Sequence, residues 1–263
     1  MFKTRLLSGI VLVLVALLTI CSGGTVLYMT VLCLSLIGAG ELFRVMKVRE
    51  DKWNLLEITG YAGVVIFYLS LLLHDPMYQM LALILDLVLL MAVYVFTYPK
   101  YNANQVMPAF FAIVYVGVML SYVYQTRMLD GGKFHVWLIF LCSWGCDTCA
   151  YCVGVLFGKH KMAPVLSPKK SIEGAVGGVV GSALLGCIYA YFFGAKMDEV
   201  SNPMVACAVA CAIAAVISQI GDLAASAIKR NHNVKDYGNL IPGHGGVLDR
   251  FDSVIFCAPL TEL

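Results

Sequence analysis

Charged residues are scarce in this sequence: Asp, Glu, Lys and Arg together make up 13% of its 263 residues, whereas hydrophobic residues make up 60%. Soluble domains usually carry about 25% charged residues, so the composition argues against one. Hydrophilic stretches are also short, and the longest, of roughly two dozen residues, is too small to build a core of its own. The mean hydropathy of +0.84 instead indicates an integral membrane protein.

Two further absences narrow the class of membrane protein. No internal repeat is visible, which weakens the prediction of a transporter built from inverted repeats. No small-x-small cleavage site follows the first apolar run cleanly, and a second run starts at once. We therefore expect a retained first helix and not a removed signal peptide.

The apolar runs that are present predict an all-α, polytopic transmembrane helix bundle of eight spans, or nine if the C-terminal tail forms one. The tail from Ser253 to Leu263 is too short to cross a hydrocarbon core of about 30 Å. A partial helix, a truncated helix and an interfacial segment are all open for it. The eight runs are residues 6–22, 25–44, 57–74, 78–98, 107–124, 134–157, 174–194 and 203–228.

The distribution of positive charge predicts the orientation. With the N-terminus in the cytoplasm, eight spans put 15 of the 18 Lys and Arg residues on the cytoplasmic side and leave Arg127, Lys133 and Lys196 outside. Cytoplasmic loops of membrane proteins carry such an excess. The two strongly charged loops, 158–173 and 229–252, are therefore expected at the cytoplasmic face, and with them any active site.

The two halves of the chain differ in where their charges lie. Residues 1–130 have few charges within their spans, so we expect N-terminal scaffold helices there. Asp86 is the exception, because an acid at that depth marks either a functional site or a protonated or hydrogen-bonded side chain that faces a neighbouring helix. Residues 131–263 carry acids near the ends of their helices and bases in their loops, and are expected to form the catalytic region.

One face of the eighth apolar run carries charge at its end. Asp222, Ser226 and Lys229 lie on the same side of a helix, and Arg230 follows them there. An acid followed by two bases fits a cation held beside an anionic group. Taken alone, the pattern is more typical of Lys and Arg side chains that extend to the membrane surface.

The stretch that follows changes this interpretation, because charged residues alternate with residues that break helices. Glycines let backbone N–H groups approach phosphate oxygens, and Asp carboxylates are ligands that Mg²⁺ prefers. The stretch therefore predicts a site for phosphate together with Mg²⁺. Its residues are Lys235, Asp236, Gly238, Pro242, His244, Gly245, Gly246, Asp249, Arg250 and Asp252.

The other charged loop contains Ser167-Pro168-Lys169-Lys170. Ser is a favourable N-cap and Pro a favourable first helical residue, so these residues predict a helix start with two lysines, which is an anion site. An ordinary capped helix with lysines at the membrane surface explains the loop equally well. Glu173 is expected to pair with Lys169 along that helix. Asp147 lies about 16 Å before the loop by helix rise and is expected to face the same cleft.

Together these residues resemble the signature of the phosphatidate cytidylyltransferase family, also called CDP-diacylglycerol synthases. The resemblance covers residues 140–263. The matching positions near the C-terminus are Ser226, Lys229, Arg230, Lys235, Asp236, Gly238, Pro242, His244, Gly245, Gly246, Asp249, Arg250 and Asp252. Those further upstream are Asp147, Tyr151, Gly154, Phe157, Gly158, Lys159, Ser167, Pro168, Lys169, Lys170, Glu173 and Gly174.

The resemblance implies a Mg²⁺-dependent enzyme that joins CTP to phosphatidic acid and releases pyrophosphate. It implies the lipid bilayer of the cell membrane as the surroundings and no nucleic acid partner. Acids at helix ends, next to spans packed through glycine, further suggest a cleft open sideways to the inner leaflet. A second cation such as K⁺ and a homodimer are further candidates.

The same resemblance assigns roles to single residues. The metal ligands are Asp222 and Asp249, with Asp147 as a further candidate. The residues that bind substrate phosphates are Ser167, Lys169, Lys170, Glu173, Ser226, Gly245 and Gly246. The catalytic residues are Lys229, Arg230, Lys235, Asp236, His244, Arg250 and Asp252, of which His244 either donates to a phosphate or holds the turn.

Two other functions compete with this one. Acids within the membrane often mark the ion pathway of a transporter or channel, but here the charges converge at one membrane face. A CDP-alcohol phosphotransferase would share Mg²⁺ and related substrates, but its Asp-Gly...Ala-Arg...Gly...Asp...Asp pattern is absent from the sequence.

Overall fold

The computed structural model describes residues 2–48, 53–197, 202–243 and 245–261, with side chains from residue 8 onward. Its helices are α1 (Phe2–Ser22), α2 (Gly24–Val45), α3 (Leu55–Leu71), α4 (Pro76–Phe96), α5 (Ala103–Ala112), α6 (Met119–Met128), α7 (Gly132–Phe140), α8 (Cys146–Phe157), α9 (Ile172–Phe193), α10 (Pro203–Asn231) and α11 (Leu248–Cys257). The π-helical segments Ile113–Val118 and Leu141–Gly145 join α5 to α6 and α7 to α8, and 3₁₀ turns follow α9 (Gly194–Lys196) and α11 (Ala258–Leu260). A hairpin of strands β1 (Lys161–Ala163) and β2 (Ser167–Ser171) connects α8 to α9.

Each of the eight apolar runs is helical at its expected position, because a segment in lipid has to satisfy its backbone hydrogen bonds internally. Within the described residues, six helical stretches are long and apolar enough to cross a membrane. The 17-residue α3 and the apolar part of α1, Ser8–Ser22, are shorter. The all-α membrane bundle is therefore confirmed, while the number of spans stays a prediction.

Short polar side chains mark where helices begin in the N-terminal half. Asn54 accepts a hydrogen bond from the Glu57 N–H at 2.8 Å, and Asp75 accepts one from the Met77 N–H at 2.9 Å. Such caps satisfy N–H groups that have no partner within the helix. Pro76 directly after Asp75 lacks an N–H and suits the first helical position. These residues set the starts of α3 and α4.

The loop between α8 and α9 differs from the expectation. The helix start predicted at Ser167 is wrong, because that residue begins strand β2. The N-cap of α9 is Ser171, whose Oγ accepts a hydrogen bond from the Gly174 N–H at 3.1 Å. Ser171 stands directly before the apolar run, so it caps the helix that this run forms. Lys169 and Lys170 consequently project from a hairpin and not from a first helical turn.

The C-terminal tail is helical as far as Cys257 and continues as a 3₁₀ turn to Leu260. Its helix, α11, begins before Ser253 and inside the charged signature. Asp249, Arg250 and Asp252 therefore lie on a helix, and the expectation that they belong to the charged loop 229–252 is wrong. α11 packs against α10, α6, α2 and α7, and its apolar side chains are buried. The bundle thus holds three signature residues on a buried helix.

Apolar side chains fall into two classes by position. The core lies among the N-terminal helices and α11, where Phe43, Phe67 and Val254 are buried. In contrast, α9 and α10 expose large apolar side chains such as Leu184 and Ile213 along their outer faces. Such faces are stable in contact with lipid, which agrees with a membrane protein.

Asp86 is buried in α4 beside Gly63 of α3, where a Cβ on that glycine would lie 3.2 Å from the Asp86 Cγ. Among the described residues, neither of its carboxylate oxygens has a hydrogen-bond partner. Asp86 therefore faces a neighbouring helix, and of the two forms considered for such a side chain, protonated or hydrogen-bonded, the hydrogen-bonded one is not found among the described residues.

Candidate active site

Acidic and basic side chains from α8, α10, α11 and the hairpin before α9 lie close together. The helices bring them from separate parts of the sequence, and the hairpin covers them at one side. The side chains involved are Asp147 on α8, Lys170 on β2, Asp222 and Lys229 on α10, and Asp249 and Asp252 on α11.

An ion pair joins the hairpin to α10. Lys170 Nζ contacts Asp222 Oδ2, and the two side chains are 27% and 24% exposed. Ser226, one turn further along α10, has its Oγ 3.5 Å from Asp222 Oδ1. Ion pairs that water reaches contribute little to stability. Lys170 can therefore leave Asp222 for another anion at a small energetic cost.

A second ion pair is buried between α10 and α11. Lys229 Nζ donates to Asp249 Oδ1 at 2.8 Å, and both residues are buried. Asp249 Oδ2 accepts hydrogen bonds from the Tyr237 N–H at 2.7 Å and from the Gly246 N–H at 3.0 Å. Hydrogen bonds to a charged group are among the stronger ones. Asp249 thus fastens the loop before α11 to α10 and to its own helix.

A third group of acids lies next to these pairs. Asp147 Oδ2 accepts a hydrogen bond from Ser253 Oγ at 3.2 Å, and Asp252 Oδ1 accepts one from the Ser253 N–H at 2.9 Å. Burial and, to a smaller extent, the nearby carboxylates of Asp222 and Asp147 raise the pKa of Asp252 to about 7. Carboxylates that disfavour one another's charge attract a cation.

These carboxylates have the chemistry that suits a hard cation such as Mg²⁺. In the part of the chain that the structure describes, no three His, Cys, Asp or Glu side chains are arranged to hold a metal ion. The two predicted ligands, Asp222 and Asp249, are each paired with a lysine instead. Metal ligation by these acids would require the lysines to move, and it stays a prediction.

A cavity of 540 Å³ lies beneath the hairpin, between α8, α9 and α10. Lys161, Lys169 and Lys170 line it from the hairpin, and Asp147 and Asp222 line it from the helices. Small-molecule sites typically enclose about 300 to 1,000 Å³. The hairpin cavity therefore combines the size of such a site with the positive charge that attracts phosphates.

A smaller cavity of 270 Å³ lies between α1, α8 and α11. Asp147, Arg250 and Asp252 form its polar part, whereas Leu12 of α1 and Trp144 form part of its apolar lining. Asp147 is thus shared with the hairpin cavity. We call this second space the α1 cavity.

An apolar groove of 520 Å³ neighbours the α1 cavity, and Trp144 and Thr148 line both. The groove lies between α7, α8 and α9 and is almost free of polar surface. Its other large side chains are Trp137, Phe140, Leu185 and Tyr189. The acids of the α1 cavity therefore lie close to an apolar groove at the side of the bundle.

Comparison with known proteins shows the family of this chain. A sequence profile described as the cytidylyltransferase family matches residues 3–263. The chain belongs to the cytidylyltransferase family. The phosphatidate cytidylyltransferase of Staphylococcus epidermidis is 33% identical to it over 266 residues, which cover 99% of this chain and 98% of the relative. Those of Staphylococcus haemolyticus and Staphylococcus aureus are 31% and 33% identical over 269 residues, with the same coverage.

The family resemblance read from the signature is thus confirmed, and the structure brings part of the signature together. One set lines the hairpin cavity, namely Asp147, Lys169, Lys170 and Asp222. Another set lines the α1 cavity, namely Asp147, Asp249, Arg250 and Asp252. The roles assigned to these cytidylyltransferase residues stay predictions.

Other signature residues lie apart from the two cavities. Arg230 Nη1 donates to the Val234 carbonyl at 3.3 Å, which turns it to the end of its own helix. Lys235 and Asp236 are exposed and make no hydrogen bond or ion pair with the described part of the chain. His244 lies outside the described residues. Phosphate contacts by these residues stay predictions as well.

The predicted pairing of Glu173 with Lys169 is wrong. Glu173 Oε1 lies 2.6 Å from His160 Nδ1, and the carboxylate accepts hydrogen bonds from the N–H groups of Lys159 and His160 at 3.1 and 3.2 Å. Because β2 is a strand, Lys169 is not one helical turn away from Glu173. Glu173 instead fixes the start of α9 to the chain leaving α8.

The family signature also has contacts from the N-terminal half that were not predicted. Glu41 on α2 accepts hydrogen bonds from the N–H groups of Val247 and Leu248, and Arg44 donates to the Tyr237 carbonyl at 2.6 Å. The sequence pattern that could have indicated these contacts is an acid and a base, three residues apart, at the end of an otherwise apolar run. The division of the chain near residue 130 stays a prediction, but α2 contacts the signature directly.

Proposed function

We propose that this protein transfers the cytidylyl group of CTP to phosphatidic acid, which forms CDP-diacylglycerol and pyrophosphate. Family membership supports this, since its relatives over nearly the whole chain are phosphatidate cytidylyltransferases. The observation that carries the proposal is that Asp147 lines two cavities, one rich in lysine and one that shares Trp144 and Thr148 with an apolar groove. A charged nucleotide and a lipid can therefore approach the same acids along separate paths.

In this proposal the hairpin cavity binds the triphosphate of CTP. Lys161, Lys169 and Lys170 supply positive charge from a short hairpin, and Lys170 is held only by a partly exposed pair with Asp222. A triphosphate carries more negative charge than a carboxylate, so Lys170 would move from Asp222 to the phosphates. The lysines would then offset charge on the departing pyrophosphate.

The α1 cavity would hold the phosphate of phosphatidic acid next to Arg250, whose planar guanidinium suits a phosphate. One acyl chain would lie in the apolar groove along Trp144 and Leu185. Moving a CH₂ group out of water stabilises binding by about 0.8 kcal/mol. An acyl chain that enters the groove leaves the lipid bilayer and not water, so its transfer contributes little free energy. The groove would therefore orient the lipid and contribute little affinity.

The reaction needs positioning more than proton transfer. An oxygen of the ionised phosphatidate phosphate would attack the α-phosphorus of CTP while the bond to the β-phosphate oxygen breaks on the opposite side. One P–O bond forms and one breaks, and pyrophosphate leaves with the bonding electrons. Since the attacking oxygen is already negative, no general base is required. Holding the two substrates in line supplies a large part of the rate.

We also propose that the reaction depends on Mg²⁺, with Asp222, Asp249 and Asp147 as the ligands and K⁺ as a candidate second cation. When bound, the metal would supply positive charge to phosphoryl oxygens. The support is that Asp222 and Asp147 lie close to Asp252, whose pKa is raised by burial and, to a smaller extent, by these two carboxylates. Lys170 and Lys229 neutralise Asp222 and Asp249 in this conformation and would exchange these carboxylates for phosphates.

The proposal includes a cell-membrane location with the site at the cytoplasmic face. The excess of Lys and Arg in the loops at that end of the bundle supports this orientation. CTP would then arrive from the cytoplasm and phosphatidic acid from the adjacent leaflet. A homodimer remains the candidate assembly from the resemblance.

Pyrophosphate release by the purified protein in detergent, with CTP, phosphatidic acid and Mg²⁺, tests this function. We expect turnover with CTP, and a KM for CTP at least tenfold higher in Lys170→Ala. Lys100→Ala removes an exposed lysine near Tyr101 and away from the cavities, and should leave the KM unchanged. Absence of CDP-diacylglycerol with the wild-type protein would refute the function, and equal KM values in both variants would refute the hairpin cavity as the nucleotide site.

A further inference from the structure

Glu41 lies outside the family signature and yet holds its last helix. Its Oε1 accepts a hydrogen bond from the Val247 N–H at 3.0 Å and its Oε2 accepts one from the Leu248 N–H at 2.8 Å. These two N–H groups stand at the start of α11 and have no acceptor within that helix. A carboxylate at this end also interacts favourably with the helix dipole. A residue 206 positions earlier in the chain therefore caps α11.

Two glycines of the signature leave the space that Glu41 occupies. A Cβ on Gly246 would collide with both oxygens of the Glu41 carboxylate, and a Cβ on Gly238 would collide with Oε1. Neither glycine has the positive φ that would itself require glycine. The close approach of Glu41 thus gives a reason for glycine at both positions that does not involve a phosphate.

A second contact from α2 reaches the same region. Arg44, one turn after Glu41, donates to the Tyr237 carbonyl at 2.6 Å, and the Tyr237 N–H donates to Asp249 at 2.7 Å. The end of α2 therefore holds both the loop before α11 and the start of α11. Since Glu41 is buried, water does not compete for its two hydrogen bonds.

We propose that Glu41 is a positioning residue for the reaction, an inference that rests on the proposed function. By capping α11 it sets the position and rotation of the helix that carries Asp249, Arg250 and Asp252. The lysines that would bind CTP belong to the hairpin, which does not pack on α2 through any of the contacts described. Loss of the cap should therefore impair the reaction more than the binding of CTP.

The test variant is Glu41→Gln, which keeps the size of the side chain but turns an NH₂ group toward one backbone N–H. We expect kcat per folded protein to fall about 10- to 100-fold, since small displacements of reacting groups have effects of this size. The KM for CTP should stay within about threefold of wild type. Asp86→Asn neutralises another buried acid of the same half and should keep kcat within about twofold.

A purely structural role predicts a different result: less folded protein, with kcat of the folded fraction unchanged. That outcome, or an equal loss of kcat in Asp86→Asn, would overturn the proposal. A double variant adds a check, because Gly246→Ala should be harmful with Glu41 in place and cause no further loss in Glu41→Ala. Additive losses would contradict the contact on which the proposal rests.

Hydrogen exchange tests the cap without turnover. In Glu41→Gln, the amides of Val247 and Leu248 should exchange at least tenfold faster, while those in the middle of α9 should be unchanged. If exchange is faster in Glu41→Gln but the wild-type protein forms no CDP-diacylglycerol, the proposed function is refuted, and with it the role of Glu41 in that reaction. The cap of α11 by Glu41 would still be supported. Unchanged exchange in an active protein would refute the inference about Glu41 and keep the function.

Discussion

The buried pair of Lys229 and Asp249 allows a prediction of its energy. Their side chains are only 11% and 2% exposed, so removal of one partner leaves an unpaired charge away from water. Such a loss costs about 3–5 kcal/mol. For Lys229→Met we expect the lower end, about 3 kcal/mol, because Asp249 keeps the hydrogen bonds from Tyr237 and Gly246.

The second partner gives a sharper comparison. In Asp249→Asn the amide oxygen can still accept from Tyr237 and Gly246, but its NH₂ group then faces the buried Lys229 ammonium. Replacing both charged groups leaves no unpaired charge. The double variant Lys229→Met with Asp249→Asn should therefore be more stable than either single variant.

Thermal unfolding in detergent measures these differences. Several free cysteines are buried in the bundle, so a thiol-reactive fluorophore reports their exposure on unfolding; they are Cys142, Cys146, Cys207, Cys211 and Cys257. A loss of 3 kcal/mol corresponds to a Tm lower by about 6–12 °C for a chain of this length. Lys100→Met, at an exposed lysine, should melt within about 2 °C of wild type. A Lys229→Met protein as stable as this control, or a double variant less stable than both singles, would refute the argument.

Two further predictions concern the substrates and the metal. Leu185→Trp narrows the apolar groove and should raise the KM for long-chain phosphatidic acid at least fivefold, but not the KM for a short-chain form. An assay of both lipids measures this difference. Equal effects on the two KM values would contradict the acyl-chain site. Asp222→Asn should lower kcat at least 100-fold and leave the Tm within about 3 °C, because its ion pair is partly exposed. Chelation of Mg²⁺ should abolish wild-type turnover, and activity that survives both changes would exclude metal ligation by Asp222.

Much of the bundle could be predicted because the bilayer leaves a segment few choices. An apolar run that lies in the bilayer has to be a helix. Two of these helices begin at local capping residues, Asn54 before α3 and Asp75 before α4. The contrast is the hairpin, where Ser167 and Ser171 are equally good caps in the sequence. The choice depends on Glu173, which bonds to the chain around His160 and so fixes the start of α9.

The sequence indicated which charged residues lie together in the candidate site, but not which of them contact each other. Charge patterns identified Asp222 and Lys229 as members of one site, but not that each has its partner on another element, Lys170 and Asp249. Glu41 could not be predicted, because its two partners lie more than 200 positions away and no local pattern points to them. Helical spacing predicts which residues of one helix are neighbours, but it does not predict contacts between residues of different helices.

The π-helical segment Leu141–Gly145 lies directly before the helix that carries Asp147. A π turn accommodates one residue more than an α turn, so the extra residue is absorbed there without rotating the helix that follows. Deleting a single residue within Leu141–Gly145 would therefore restore a regular α turn and leave Asp147 facing both cavities. The same deletion in the regular helix Gly132–Phe140 would rotate Asp147 by about 100°, so a change of length should be tolerated only at the π turn.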